Sequence, residues 1–125
     1  MLPFRIALSF LLLTILAPSG VAHAAVLVSP LVNSAAGHQL QCTVVNTSKK
    51  ETTATVSLHT NSGGIIVGPS ELVIPAGSTR SVGSNWTAHT YCKVVASKKK
   101  VRANYAIEED IGGSDFRTIV SVPVQ

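Results

Sequence analysis

The chain has 125 residues, a formal net charge of +4 and two cysteines. That length holds one domain at most. The charge is mild and its basic residues are scattered apart from Lys49-Lys50 and Lys98-Lys99-Lys100-Val101-Arg102, with no interleaved aromatics, which argues against nucleic-acid binding.

The N-terminal stretch reads as a leader rather than as part of a fold. Met1 to Arg5 supplies a charged start, and Ile6 to Leu16 is apolar apart from Ser9 and Thr14. Pro18-Ser19-Gly20 breaks the run, and Ala22-His23-Ala24 has the small-x-small form of a cleavage site. The run is shorter than the roughly 20 apolar residues that a membrane-spanning helix needs. The expectation is a signal peptide over residues 1–24 and a secreted or periplasmic domain over residues 25–125. No second apolar run follows, so the mature chain is expected not to span a membrane. Loss of Arg5 would lower the net charge by one.

Two cysteines in an exported chain read as one disulfide, Cys42 to Cys92. Each lies in a short apolar strand pattern, Leu40 to Val45 and Tyr91 to Ala96. Along the mature chain, Val26-Leu27-Val28 opens the domain and a polar stretch follows from Asn33 to Gly37. Leu40, Cys42 and Val44 face inward and alternate with Gln41, Thr43 and Val45. Asn46 to Lys50 is a polar turn. Over Thr52 to Thr60 the inward set is Ala54, Val56 and Leu58, and β-branched enrichment favours a strand.

Ile65-Ile66-Val67 reads as a short strand ended by Gly68-Pro69, with Leu72-Val73-Ile74 a separate one before the turn Pro75-Ala76-Gly77-Ser78. Thr79 to Val82 is a polar strand, and Ser84 to Thr90 is a loop carrying the single tryptophan. After Tyr91 to Ala96 and a lysine-tipped turn, Val101, Ala103, Tyr105 and Ile107 form one inward face. Glu108 to Asp115 reads as an acidic, Gly-rich turn. Phe116, Thr118, Val120, Val122 and Val124 share one face of the last strand. Seven or eight short strands with turns every 8–12 residues and no helical period are the pattern of an all-β antiparallel sandwich.

Several segments carry a resemblance. Cys42-Thr43-Val44-Val45-Asn46-Thr47, Thr55-Val56-Ser57-Leu58, Ile74-Pro75-Ala76-Gly77-Ser78-Thr79, Asn85-Trp86-Thr87 and the strands at Tyr91 and Val101 resemble immunoglobulin-like β-sandwich modules of bacterial and archaeal surface proteins. The resemblance spans most of Leu40 to Ile107 and implies a fold, not an activity. Trp86 departs from the antibody pattern, which places its core tryptophan shortly after the first cysteine.

Residues that could carry chemistry are few. His38, His59 and His89 sit in separate segments without metal-ligand spacing, and a copper site of the cysteine–histidine–methionine kind lacks its methionine. Glu108, Glu109, Asp110 and Asp115 cluster about Gly112-Gly113 without a calcium-loop spacing. No metal or cofactor is therefore expected, and no nucleophile motif marks an enzyme. Two surfaces remain. Asn85, Trp86, Thr87 and His89 form a possible ligand-binding loop in which Trp86 either stacks on a sugar ring or packs into the core. Lys98, Lys99, Lys100 and Arg102 either contact an anionic surface or simply keep a hairpin tip soluble. Asn46-Thr47-Ser48 and Asn85-Trp86-Thr87 also fit the glycosylation pattern. The expected function is non-catalytic contact with a protein or cell-envelope component, or a structural role. The alternative is a carbohydrate-binding module built on the Trp86 loop.

Overall fold

A computed structural model describes residues 25–97 and 100–125. The leader expected over residues 1–24 lies outside them, as do Lys98 and Lys99. The described residues form nine strands and no helix. They are β1 (Ala25–Val28), β2 (Val32–Ser34), β3 (His38–Asn46), β4 (Thr52–Thr60), β5 (Ile65–Ile74), β6 (Thr79–Ser84), β7 (Ala88–Ala96), β8 (Val101–Gly112) and β9 (Asp115–Val124).

The strands make two antiparallel sheets. One runs β1-β7-β4-β5, with β2 also on β7, and the other runs β6-β3-β8-β9. The count exceeds the expected seven or eight because one edge row is interrupted. β1 and β2 both lie along β7, at Lys93–Ala96 and Ala88–Thr90, and the break at Ser29-Pro30-Leu31 separates them. Ser29 bridges that break by exchanging backbone bonds with Cys92 through its N–H and its hydroxyl. Along the same side, Val28 and Gln125 exchange backbone hydrogen bonds of 2.7 and 3.3 Å, joining the two sheets.

The core follows from the alternation. Leu40, Cys42 and Val44 of β3, Ala54, Val56 and Leu58 of β4, Cys92, Val94 and Ala96 of β7, and Val101, Tyr105 and Ile107 of β8 are all buried. Successive strand residues point to opposite faces, so every second side chain enters the layer between the sheets. The Cys42–Cys92 disulfide ties β3 to β7 and therefore one sheet to the other. A second cross-link is polar: the Thr90 and Tyr105 hydroxyls meet at 2.7 Å with both residues fully buried. Burial pushes the Tyr105 phenol above its ordinary value, with the Thr90 bond opposing.

Three local expectations are corrected. Gly68-Pro69 does not end a strand; β5 runs through it as a bulge, with Val56 opposite Ser70 and Leu58 opposite Val67. Gly68 holds φ +86 there, and a Cβ would lie 2.6 Å from the Val56 carbonyl. β5 is an edge strand, where a proline without an N–H can be accommodated. Second, Glu108 to Asp115 is not a turn. Its carboxylates line the arms of a long β8–β9 hairpin in which only Gly113 and Ser114 lie between the strands. Third, Phe116 and Thr118 do not share a face with Val120, Val122 and Val124. Ile107 pairs with Val120 but Glu108 pairs with Thr118, so Ile119 is an extra residue and the side-chain parity reverses across it.

Candidate functional site

The sandwich has two chemically different ends. The upper end holds residues 35–37, 61–64 and 85–87 and the tip of the β8–β9 hairpin. The lower end holds the turns 47–51 and 75–78, with Ser97 closing β7 and Lys100 preceding β8. Between them the sheets present mixed polar faces.

At the upper end the loop is shorter than its sequence suggests, because β7 begins at Ala88 and includes His89. Asn85, Trp86, Thr87 and His89 are all exposed, with Trp86 at 48%. Trp86 is therefore not a core residue. Its backbone is held while the residue stays half exposed: the Ser34 hydroxyl donates to the Trp86 carbonyl at 2.7 Å, and the Trp86 N–H donates to the Ser84 hydroxyl at 3.1 Å. His89 pairs with Asn33 across β2. Ala88 closes the loop with φ 124, a conformation that L-residues rarely adopt. Such strain tends to persist at functional sites, and nothing in the residue types around Ala88 announces it.

The hairpin adds exposed apolar side chains at the same end, Ile111 (58%), Phe116 (49%) and Ile119 (44%). They stand beside Glu108, Glu109, Asp110 and Asp115, and Glu109 forms an ion pair with Arg117. Asp110 is occupied locally, accepting the Gly112 N–H at 2.8 Å. Among the described residues no group of three histidines, cysteines or carboxylates is placed to hold a metal ion.

One hydroxyl–imidazole pair went unnoticed in the sequence. The Ser57 hydroxyl lies 2.7 Å from His59 Nε2, and His59 Nδ1 lies 3.3 Å from the Gly63 carbonyl. The His59 ring stacks on Tyr91 with centroids 4.9 Å apart. This pairing resembles an activated nucleophile only in part. Ser57 is buried opposite the β5 bulge, so its hydroxyl is shielded from a substrate. The pair fastens β4 where the ladder is interrupted.

The lower end gathers charge that looks scattered along the chain. Thr47 donates its N–H and its hydroxyl to the Lys100 carbonyl, at 2.9 and 2.7 Å. That clamps the 47–51 turn to the segment before β8. Ser48, Lys49, Lys50 and Lys100 line a depression of about 280 Å³. Arg80 pairs with Val44 on β6 and Arg102 with Val45 on β8, so the two arginines lie on opposite faces of that sheet. Asn46 underlies the turn and is completely buried. Its amide donates to the Lys50 and Ile74 carbonyls, and its oxygen accepts from the N–H and hydroxyl of Ser48. Of the two glycosylation-pattern asparagines, Asn46 thus has its side chain fully engaged, whereas Asn85 is exposed.

No helix among the described residues is long and apolar enough to cross a membrane. No protein-family model and no curated protein matches the sequence. In three dimensions the chain is similar to the crystal structure of Thermotoga maritima 1070, with a TM-score of 0.59 and 9% identity, covering 82% of this chain and 93% of that one. At that identity the likeness is one of fold alone.

Proposed function

We propose that the chain is a non-catalytic exported β-sandwich that acts by surface contact with a protein or a cell-envelope component, with its upper end as the contact face. The observation that carries this reading is the exposure of Trp86, Ile111, Phe116 and Ile119 at that end, while a continuous core is complete without them. Large aromatic and aliphatic side chains held in the open on fixed backbone are the usual anchors of an interface. Export is supported by the leader-like pattern of residues 1–24 and by the disulfide, which belongs to an oxidising compartment.

The kinship proposed from sequence is that of an immunoglobulin-like module, in which the two cysteine strands lie in opposite sheets as β3 and β7 do. Here the terminal strands have exchanged partners. β8 lies beside β3, and β1 with β2 lies beside β7, whereas an immunoglobulin domain pairs its last strand with the second cysteine strand.

A second reading is favoured by Trp86 itself: an exposed indole flanked by Asn85, Thr87 and His89 offers a stacking face with polar groups beside it, as a carbohydrate-binding module requires. Residues 25–125 hold all nine strands and the disulfide, so they are the piece to test. Capture from an envelope extract is compared with Trp86→Ala and with Ile111→Ser/Phe116→Ser, each checked by its melting curve. A salt-resistant partner lost in the hairpin variant supports the protein contact. Loss in Trp86→Ala, with competition by free oligosaccharide, supports the glycan reading. Capture indifferent to both variants refutes the upper end as the contact face.

A further inference from the structure

We propose that the lower end docks on an anionic phospholipid surface, with its lysines against the phosphate head groups. Four of the ten lysines and arginines, Lys49, Lys50, Lys100 and Arg102, lie in the 47–51 turn and at the start of β8, and the fold joins these two segments through the double bond of Thr47 to the Lys100 carbonyl. Lys49, Lys50 and Lys100 line one depression together with Ser48. Among the described residues the salt bridge present is Glu109–Arg117, at the opposite end, so these lysines are not neutralised by a carboxylate. Glu51 is the one acid within the two lower turns.

The turn is also held ready. Asn46, buried beneath it, satisfies Lys50, Ile74 and Ser48 at once. Presenting Lys49 and Lys50 therefore costs little further ordering on binding.

The chemistry favours a membrane over other anionic partners. The turns 47–51 and 75–78, with Ser97 and Lys100, include no large apolar side chain, so a protein partner would find no anchor to bury. Trp86 and Phe116 are at the far end, leaving no aromatic platform for nucleic-acid bases. Lysines are compact, hydrated charges suited to a diffuse negative field rather than to forked recognition of one group. Charge separation along the molecule sets the orientation. Glu108, Glu109, Asp110 and Asp115 lie at the upper end, so a negative surface attracts the lower end and repels the upper one. Docked this way, the protein would present Trp86 and the hairpin away from the lipid.

This inference shares only export with the proposed function and is tested separately. Residues 25–125 are sedimented with vesicles of phosphatidylglycerol and phosphatidylcholine in equal parts, and with phosphatidylcholine alone. Binding is expected to the anionic vesicles only, falling steeply as salt rises from about 0.05 to about 0.3 M. Each lysine removed should weaken it roughly fivefold, so Lys49→Gln/Lys50→Gln should lose about 25-fold. Trp86→Ala should bind like the wild type, which separates the outcome from any failure of the upper-end reading. The wild-type salt dependence keeps the test valid should a lysine variant fold poorly. Equal binding to both vesicle types, no binding at low salt, or anionic binding unchanged in Lys49→Gln/Lys50→Gln/Lys100→Gln would overturn the proposal. So would retention on soluble polyphosphate without vesicle binding.

Discussion

Asn46 is a small polar residue on which both the fold and the basic end depend, and its removal has a calculable cost. Asn46→Ala deletes two donated bonds, to Lys50 at 2.7 Å and Ile74 at 3.0 Å, and two accepted from Ser48 at 2.9 and 2.7 Å. The partners at Ser48 and Lys50 are near solvent and can be rehydrated, so each lost bond there costs the lower part of the usual 0.5–1.5 kcal/mol range, about 0.5 kcal/mol. Ile74 is fully buried, and leaving its carbonyl without this donor adds about 1–2 kcal/mol. The total is about 3 kcal/mol, a large share of the roughly 5–15 kcal/mol that holds a domain of this size. Urea unfolding of residues 25–125 should show it directly, and the melting temperature should fall by about 12–24 °C. Asn46→Asp sharpens the test. It keeps the oxygens facing Ser48 but turns a carboxylate toward two carbonyls, which raises the folded-state pKa of that group. The variant should therefore be most stable below the ordinary aspartate value and lose stability as pH rises through the raised one. A loss below about 1 kcal/mol in Asn46→Ala, or no pH dependence in Asn46→Asp, would refute the role assigned to this residue.

Three further outcomes are expected. Reducing the Cys42–Cys92 bridge, whose cysteines are 50 residues apart, should cost roughly 4 kcal/mol and lower the unfolding midpoint accordingly; an unchanged midpoint would contradict its place between the sheets. Tyr105 has its phenol raised by burial, so its contribution is complete below the unfolded value of about 10 and is lost as pH climbs through the higher folded one. Tyr105→Phe, measured by unfolding across the alkaline range, should abolish that part of the decline and cost about 1–2 kcal/mol at neutral pH by stranding the Thr90 hydroxyl. Gly68→Ala would place a Cβ 2.6 Å from the Val56 carbonyl and 2.8 Å from the Ser70 nitrogen. It should destabilise by more than about 2 kcal/mol in chemical denaturation, and a near-neutral result would mean that the β5 bulge is not as described.

Local pattern was enough for the all-β antiparallel class and most of its strands. Period-two alternation in β3, β4, β7 and β8 depends on adjacent side chains facing opposite ways, so Leu40, Cys42, Val44, Ala54, Val56 and Leu58 could be placed inside from sequence, and the two cysteines paired, whereas only the strand order shows that the bridge joins the two sheets. The hairpin was harder to see, because Glu108 to Asp115 shows the polar, Gly-rich composition of a turn while its backbone groups remain free to pair. The bulge at Ile119 was invisible, since one extra residue leaves the composition intact and reverses every side chain beyond it.

Site placement divided along the same line. Trp86 was identifiable as a candidate because tryptophan is rare and its neighbours polar, but whether it packed inside or stood in the open depended on how β6 and β7 framed residues 85–87. Lys49-Lys50 and Lys100 are about fifty positions apart in the chain, and only the pairing of β3 with β8 brings them to one end. Residue type and alternation act over neighbouring positions and determined the strands, the core and the cysteine pairing. Register, bulges and sheet crossing act between distant segments, and they alone decided which charged and aromatic groups share a surface.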